Sequence, residues 1–270
     1  MILYLRQWHN RLGNNLIQLF NALQLAVYYR CDVVIPKHNF LNKTYIKLNK
    51  SNKKKRVKIF TIAKDCFQIK YIPKKTWRCL NHNTHIVKKI LLSLFVYNPD
   101  RIYTDNDLII HIRGGDIFDK NGKSVNYVTP PLSYYINIID NNNYDRIVLI
   151  SEDVLNPCVN ELLSRYPNIE FNIQSFEKDI SILMSAINIV ESFGTLIPML
   201  CSLSNNIKTI YRPSYQLPCG GIRNKYLQNC KINIVKLNAY YKKQYPWRNM
   251  PHQRKYMLTY GMPVEKTHKD

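Results

Sequence analysis

The residues best suited to chemistry form one short segment, in which an apolar run ends in an arginine, two glycines and an aspartate. Residues 108–112 are apolar except for His111 and rich in β-branched side chains, which is typical of a strand buried on both faces. Arg113 follows at the carboxyl end, where open α/β sheets bind ligands. Its guanidinium suits a phosphate, and Gly114 and Gly115 let backbone N–H groups approach an anion. We predict a phosphate site that stabilises a nucleotide leaving group, with a surface ion pair of Arg113 as the alternative.

Strand and helix patterns alternate around this segment. Residues 2–5 and 31–36 are predicted strands. Between them, a turn at Gly13 leads into a stretch whose apolar residues recur at helical spacing, which completes a βαβ unit. A helix that starts in this way presents free N–H groups to an anion.

The rest of the chain repeats this alternation. Further strands are predicted at residues 145–150, 169–171, 188–192 and 207–213, the last closing the sheet, and helices at residues 84–96, 129–139, 157–165, 179–186 and 196–203. The pattern indicates an α/β fold of two Rossmann-like domains that face a central cleft. We place the N-terminal domain at residues 1–125 and the C-terminal, nucleotide-binding domain at residues 126–235.

The composition describes a globular and strongly basic chain. It has 270 residues, of which 46% are hydrophobic, enough to bury a sizeable core. Lysine and arginine number 39 against 18 acidic residues, a net charge of +21, which favours anionic partners. The basic run at residues 49–58 is predicted to be a solvated loop; the alternative is contact with an anionic acceptor, nucleic acid or lipid head groups.

Cysteine usage and hydropathy indicate a cytoplasmic chain. The seven cysteines are scattered without CxxC spacing, so neither a structural zinc site nor a disulfide framework is expected. No apolar stretch approaches the roughly 20 residues of a membrane span, and the first residues do not form a signal peptide. The basic surface is nevertheless suited to peripheral contact with a membrane.

Four segments occur in the order found in GDP-fucose-dependent fucosyltransferases. They are residues 11–14, 111–116, 151–153 and 179–195. The chain resembles this superfamily of α1,2-, α1,6- and protein O-fucosyltransferases over about residues 2–211, most specifically in His-x-Arg-x-x-Asp. The resemblance implies a GT-B fold and an inverting, metal-independent transfer of L-fucose from GDP-fucose to a glycan acceptor, without a cofactor. It also implies that a tail at residues 236–270 packs back on the N-terminal domain, anchored by Trp247.

The resemblance also implies roles for particular residues. Arg113 holds the β-phosphate of GDP and is the main electrostatic catalyst. The residues implied to surround the donor are Arg11, Gly13, Asn14, His111, Glu152, Asp153, Asp179, Ser192, Gly194 and Thr195. Among them, Asp179 reads the guanine edge, Asp153 and Glu152 lie beside the nucleoside, and the others line the sugar and phosphates.

The chain departs from the family in two places. Gly114 stands where many members carry a second arginine, and residues 192–196 replace the serine- and tryptophan-rich segment of the α1,2 enzymes. The linkage is therefore left open.

An inverting transfer also needs a base for the proton of the acceptor hydroxyl. Asp116 and Asp119 are the candidates; a structural role is the alternative for Asp116. His111 lies within the strand, where a buried and hydrogen-bonded histidine is expected rather than a base.

Other sequence signals favour other functions. Asp105-Asn106-Asp107 matches the manganese-binding motif of GT-A glycosyltransferases, but it precedes a strand instead of following one. The 20 tyrosines and the lysine runs would suit a nucleic-acid-binding protein, although aromatic and basic residues are interleaved in only one cluster, at residues 240–248. A glycosyltransferase that uses another nucleotide sugar, or a noncatalytic lectin-like relative, is a further alternative.

Overall fold

The computed structural model describes residues 2–48, 59–62, 84–99, 101–119, 126–215 and 230–262, and of residues 59–62 it describes the backbone alone. The chain divides into two compact units. The first draws its described residues from Met1–Asn98 and Thr195–Asn205, and the second from Pro99–Gly194, Asn206–Leu217 and Asn229–Asp270. The basic run predicted as a loop at residues 49–58 lies outside the described residues.

The elements alternate between strands and helices for most of the chain. In chain order they are β1 (Ile2–Leu5), α1 (Leu12–Tyr29), β2 (Asp32–Val34), β3 (Tyr45–Ile46), β4 (Ile59–Ile62), α2 (Thr84–Leu94), β5 (Asp107–His111), α3 (Leu132–Asp140), β6 (Arg146–Ile150), α4 (Pro157–Arg165), β7 (Glu170–Phe171), α5 (Phe176–Ser185), β8 (Asn188–Val190), α6 (Leu196–Leu203), β9 (Thr209–Pro213), β10 (Lys231–Val235), α7 (Asn238–Gln244) and α8 (Pro251–Thr259). The predicted class, an α/β chain with two Rossmann-like units, is confirmed.

The first unit is a small sheet covered by long helices. Its strands lie in the order β3-β2-β1-β4, parallel except for the β2–β3 pair. Helix α1 packs against α2 and α6. The apolar spacing predicts this helix, and Leu16, Leu19 and Leu23 are all buried. The helix ends where Arg30 adopts a left-handed conformation.

The second unit contains an all-parallel sheet in the order β10-β9-β8-β5-β6-β7. Strand β5 lies inside it, with β6 on one side and β8 on the other, so the carboxyl ends of the three strands meet at one edge. Leu108, Ile109 and Ile110 are fully buried. The strand predicted from the apolar run is therefore confirmed, and the sheet delivers Arg113 to its carboxyl edge.

A buried ion pair joins the ends of β8 and β9. Arg212 donates from Nε and Nη2 to the two carboxylate oxygens of Glu191, at 2.6 and 2.7 Å. Both side chains are almost fully buried. Burial raises the pKa of Glu191, and Arg212 opposes that shift. The hydroxyl of Tyr134 donates to the backbone carbonyls of Glu191 and Tyr211, which ties α3 to the same strands.

Several predicted elements have the expected bounds and others do not. Helices α4 and α6 begin and end where the sequence predicts. Helix α5 begins three residues earlier than predicted, because the Ser175 side chain accepts the N–H of Lys178 and caps the helix. Strands β3, β4 and β10 were not predicted. The prediction that residues 207–213 close the sheet is wrong, because β10 pairs with β9 beyond them.

The division of the chain also differs from the predicted boundary at residue 125. Strand β5 pairs with β6 and β8, so the segment that carries Arg113 belongs to the second unit, whereas residues Thr195–Asn205 return to the first. The tail packs within the second unit, where α8 contacts α3 and α4. Trp247 is buried as expected of an anchor, but its indole N–H donates to the Ile117 carbonyl of the second unit.

Among the residues that the structure describes, no helix combines the length and the apolar character needed to cross a membrane.

The Glu191–Arg212 pair gives a stability prediction. We expect Glu191→Gln to lower the free energy of unfolding by about 3–5 kcal/mol, because it leaves the buried Arg212 charge uncompensated. Urea denaturation measures the change. The matched control is Asp105→Asn, which breaks an exposed ion pair with Lys208 and should leave stability nearly unchanged. Equal effects of both variants would contradict this role.

Candidate functional site

The candidate site lies at the carboxyl edge of the second unit, directly after β5. The side chain of Arg113 is 20% exposed, and its Nη2 donates to Asp116 Oδ1 at 2.6 Å. Gly115 has a φ of +62°, a conformation that L side chains rarely adopt, and it starts the 3-10 turn Gly115–Ile117. That turn brings Asp116 back to the guanidinium, which fixes the direction of Arg113.

Side chains of the loop after β6 form hydrogen bonds with the backbone of this turn. Asp153 Oδ2 accepts the N–H of Gly115 at 3.0 Å, and its Oδ1 accepts the N–H of Leu155 at 2.9 Å. The Asn156 side chain donates to the Arg113 carbonyl at 2.9 Å and also caps α4. The backbone of the arginine and glycine segment is therefore held by side chains of the neighbouring strand's loop.

Side chains of the neighbouring loop lie close to both glycines of the segment. A Cβ on Gly114 would lie 2.5 Å from Asp153 Oδ1, and a Cβ on Gly115 would lie 1.6 Å from Glu152 Oε1. The side chain of Asp153 thus occupies the space that a side chain at position 114 would need.

Three polar atoms at this edge are buried without a partner. No hydrogen bond within the described part of the chain involves these atoms, which are Arg113 Nε, His111 Nδ1 and Ser151 Oγ. Such atoms carry a free-energy cost unless a ligand satisfies them. The hydrogen bond expected for His111 is thus absent at Nδ1. Burial, with the Arg113 charge second, lowers the pKa of His111 to about 3, so its imidazole is neutral at physiological pH.

Asp179 provides a buried carboxylate in the same unit. It lies in the first turn of α5, where Gln174 Nε2 donates to its Oδ1 at 3.0 Å. Burial raises the pKa of Asp179 to about 6; the Gln174 hydrogen bond opposes this shift and the charge of Glu152 adds to it. The charges of Glu152 and Asp179 therefore interact, and their placement beside one nucleoside stays a prediction.

Another group of the predicted site residues lies in the first unit. Thr195 Oγ1 donates to Asn14 Oδ1 at 2.7 Å, which joins the first turns of α1 and α6. A Cβ on Gly13 would lie 2.6 Å from the backbone nitrogen of Leu196, so the glycine permits this close approach. Arg11 is the exposed residue before α1. The structure thus brings together Gly13, Asn14 and Thr195.

The remaining predicted site residues lie in different environments. Ser192 is buried, and the hydroxyl of Tyr135 donates to its Oγ at 3.4 Å, so part of its hydrogen-bonding capacity is used within the core. Gly194 has a φ of +134°, which explains the glycine there. Asp119 is exposed on the loop after the 3-10 turn.

The Asp105–Asp107 pair lies at the opposite, amino edge of the sheet. Lys208 Nζ contacts Asp105 at 2.9 Å, and Arg146 contacts the buried Asp107 at 3.0 Å. Thr104 also donates to Asp107 from its backbone and hydroxyl. Both carboxylates thus have structural partners. Across the described ranges, there is no cluster of three or more side chains that could hold a metal ion.

Some contributors were missed from the sequence. Asn156 and Gln174 position Arg113 and Asp179, and Ser151 adds an unpaired hydroxyl to the site. In the sequence, the Asn156–Pro157 pair indicates the start of a helix. The contact of Asn156 with a carbonyl 43 positions earlier leaves no local signal.

Comparisons with known proteins add little. No protein-family model matches the chain, and no curated protein matches it. Among solved structures, the chain is similar to E. coli heptosyltransferase WaaC with ADP, at a TM-score of 0.41 and 11% identity. The alignment covers 90% of this chain and 98% of that one. At this TM-score the likeness supports no conclusion about the chemistry of the chain.

Asp179 gives a pH-dependent stability prediction. Its pKa is raised from 3.8 to about 6, so the folded state binds the proton more tightly and stability falls as the pH rises through this range. We expect Asp179→Asn to increase the free energy of unfolding at pH 7.5 by about 1 kcal/mol after allowance for solvent screening. Most of the gain should vanish by pH 4. Thermal unfolding at both pH values measures it, with the exposed Glu161→Gln as the control; a gain that does not depend on pH would contradict the assignment.

Gly13 gives a packing prediction. We expect Gly13→Ala to destabilise the chain by about 1–3 kcal/mol, because the new Cβ would collide with the backbone of Leu196. Gly261→Ala is the control, since a Cβ there meets nothing within 4 Å. Urea denaturation compares the two variants, and equal stability would show that the first turns of α1 and α6 do not pack as described.

Proposed function

We propose that this chain is a glycosyltransferase that transfers a sugar from a nucleoside diphosphate sugar to a glycan acceptor. The observation that carries the proposal is Arg113, a guanidinium directed by Asp116 at the carboxyl edge of a parallel sheet. Unpaired polar atoms of His111 and Ser151 lie at the same edge. Ligands of open α/β sheets bind at such edges.

A diphosphate fits the chemistry of this edge. Asp116 binds Nη2 of Arg113, while Nε is buried and has no partner among the described residues. A charge-assisted bond from arginine to phosphate is about twice as strong as a neutral one. The neutral His111 and the Ser151 hydroxyl add short-range hydrogen bonds. These groups support binding of the two phosphates and stabilisation of the charge that develops on the leaving group.

We propose GDP as the nucleotide and L-fucose as the sugar. Guanine presents two neighbouring donors, N1–H and the N2 amino group, and the Asp179 carboxylate is an acceptor that suits them. Binding through the ionised carboxylate would strengthen as the pH rises through about 6, the pKa of Asp179. Fucose rests on the resemblance of residues 111–116 to the fucosyltransferase motif.

The proposed reaction exchanges one bond at the anomeric carbon and transfers one proton. The acceptor hydroxyl oxygen attacks the anomeric carbon from the face opposite the nucleotide, and the bond from that carbon to the β-phosphate oxygen breaks with inversion. Arg113 supplies the positive charge that stabilises the departing GDP, in place of a metal ion. A carboxylate takes the hydroxyl proton. Asp119 is better suited than Asp116, because Asp116 is bound to Arg113.

Calorimetric titration of GDP in EDTA tests the donor site. We expect selective binding of GDP over UDP and ADP, and a loss of about 1.5–3 kcal/mol, roughly ten- to a hundredfold in affinity, in Arg113→Ala. The control is Arg101→Gln, which removes an exposed arginine that pairs with Glu170. No GDP binding, or binding that requires manganese, would contradict the proposal, and tighter binding of UDP or ADP would indicate another donor.

Turnover separates a transferase from a noncatalytic binder. Release of GDP from GDP-fucose, followed against a panel of glycan acceptors, is expected from the wild-type protein and strongly reduced in Arg113→Ala. Binding of GDP-fucose without any release would favour a lectin-like protein. Retention on DNA that depends on salt, without affinity for nucleotides, would favour a nucleic-acid-binding protein.

A further inference from the structure

The loop that follows the candidate phosphate turn is held by side chains from the far end of the chain. Trp247 Nε1 donates to the Ile117 carbonyl at 3.1 Å, and Arg254 Nη2 donates to the Phe118 carbonyl at 2.8 Å. Asn249 Nδ2 donates to the next carbonyl, that of Asp119, at 3.1 Å. Three consecutive carbonyls thus accept from one short stretch of the tail. We call Trp247, Asn249 and Arg254 the tail clamp.

The tail clamp is itself fixed in place. Arg254 Nε donates to Asn249 Oδ1 at 2.7 Å, so the two side chains orient each other. The ring of Trp247 packs edge-on against Phe118, with centroids 5.5 Å apart, and the Arg254 guanidinium lies over the same ring. Buried Gln253 binds the backbone of Gln244, Pro246 and Arg248, which stiffens the turn between α7 and α8.

A short series of contacts leads from the tail clamp to Arg113. The N–H groups of Phe118 and Asp119 both donate to the Gly115 carbonyl, so residues 117–119 are continuous with the 3-10 turn. Asp116 lies within that turn and binds the Arg113 guanidinium. We propose that the tail clamp positions Asp116, and through it Arg113, for the nucleoside diphosphate. The inference rests on the proposed function.

The tail could also act simply by its charge. Residues 230–262 contain seven lysines and arginines and no acidic residue: Lys231, Lys236, Lys242, Lys243, Arg248, Arg254 and Lys255. Any of these would attract an anion at long range. Arg248 is the matched control, because it is an exposed arginine six positions before Arg254 and its side chain makes none of the three loop contacts.

The test compares Arg254→Gln with Arg248→Gln by calorimetric titration of GDP and by the kcat and KM for GDP-fucose. Each substitution removes one charge from the tail. We expect Arg254→Gln to weaken GDP binding about tenfold and to lower kcat, since a small misplacement of an orienting group is costly. Arg248→Gln should stay within about twofold. Arg254→Lys, which keeps a donor, should recover part of the loss, and Trp247→Phe should shift affinity in the same direction by less.

Thermal unfolding and hydrogen exchange of the Ile117–Asp119 amides show whether each variant is folded and whether its loop is loosened. Equal losses in Arg254→Gln and Arg248→Gln would overturn the inference in favour of long-range attraction. Faster loop exchange in Arg254→Gln with unchanged GDP affinity and kcat would overturn it as well, because the tail clamp would then be merely structural. Lack of GDP binding by the wild-type protein would instead contradict the proposed function, and the positioning role with it.

Discussion

The Arg113–Asp116 ion pair is the interaction on which the candidate site depends. A strand whose Leu108, Ile109 and Ile110 are fully buried brings the arginine to the carboxyl edge of the sheet, where its charge is only partly exposed. The left-handed conformation of Gly115 turns the chain so that Asp116, three positions after Arg113, reaches the guanidinium. The pair fixes the direction of the cation and leaves Nε without a partner among the described residues. Such a group is suited to an anion.

The carboxylates around this pair lie in different hydrogen-bonding environments. Asp153 accepts two backbone N–H groups, so its oxygens support the loops. Asp179 is buried with one donor from Gln174, and its raised pKa reflects the cost of that burial. The charge of Glu152 adds to the rise in the pKa of Asp179, whereas the charge of Arg113 is paired with Asp116.

The sequence revealed the local features and missed the long-range ones. A mainly apolar run is enough to predict β5 and the position of Arg113, because a strand buried on both faces needs such a run. Strand β10 alternates polar and apolar residues at the sheet edge and is only partly buried, so its signal is weak. The unit boundary was misplaced because it depends on which strands pair with β5, and sequence spacing does not encode pairing. Likewise, the Trp247 contact with Ile117 spans 130 positions.

The most direct measurement is a crystal structure of the protein grown with GDP in EDTA. We predict that β-phosphate oxygens lie about 3 Å from the Arg113 guanidinium and that the guanine edge faces Asp179. GDP bound away from Arg113, or bound with its diphosphate at Asp105 and Asp107, would contradict the proposed donor site.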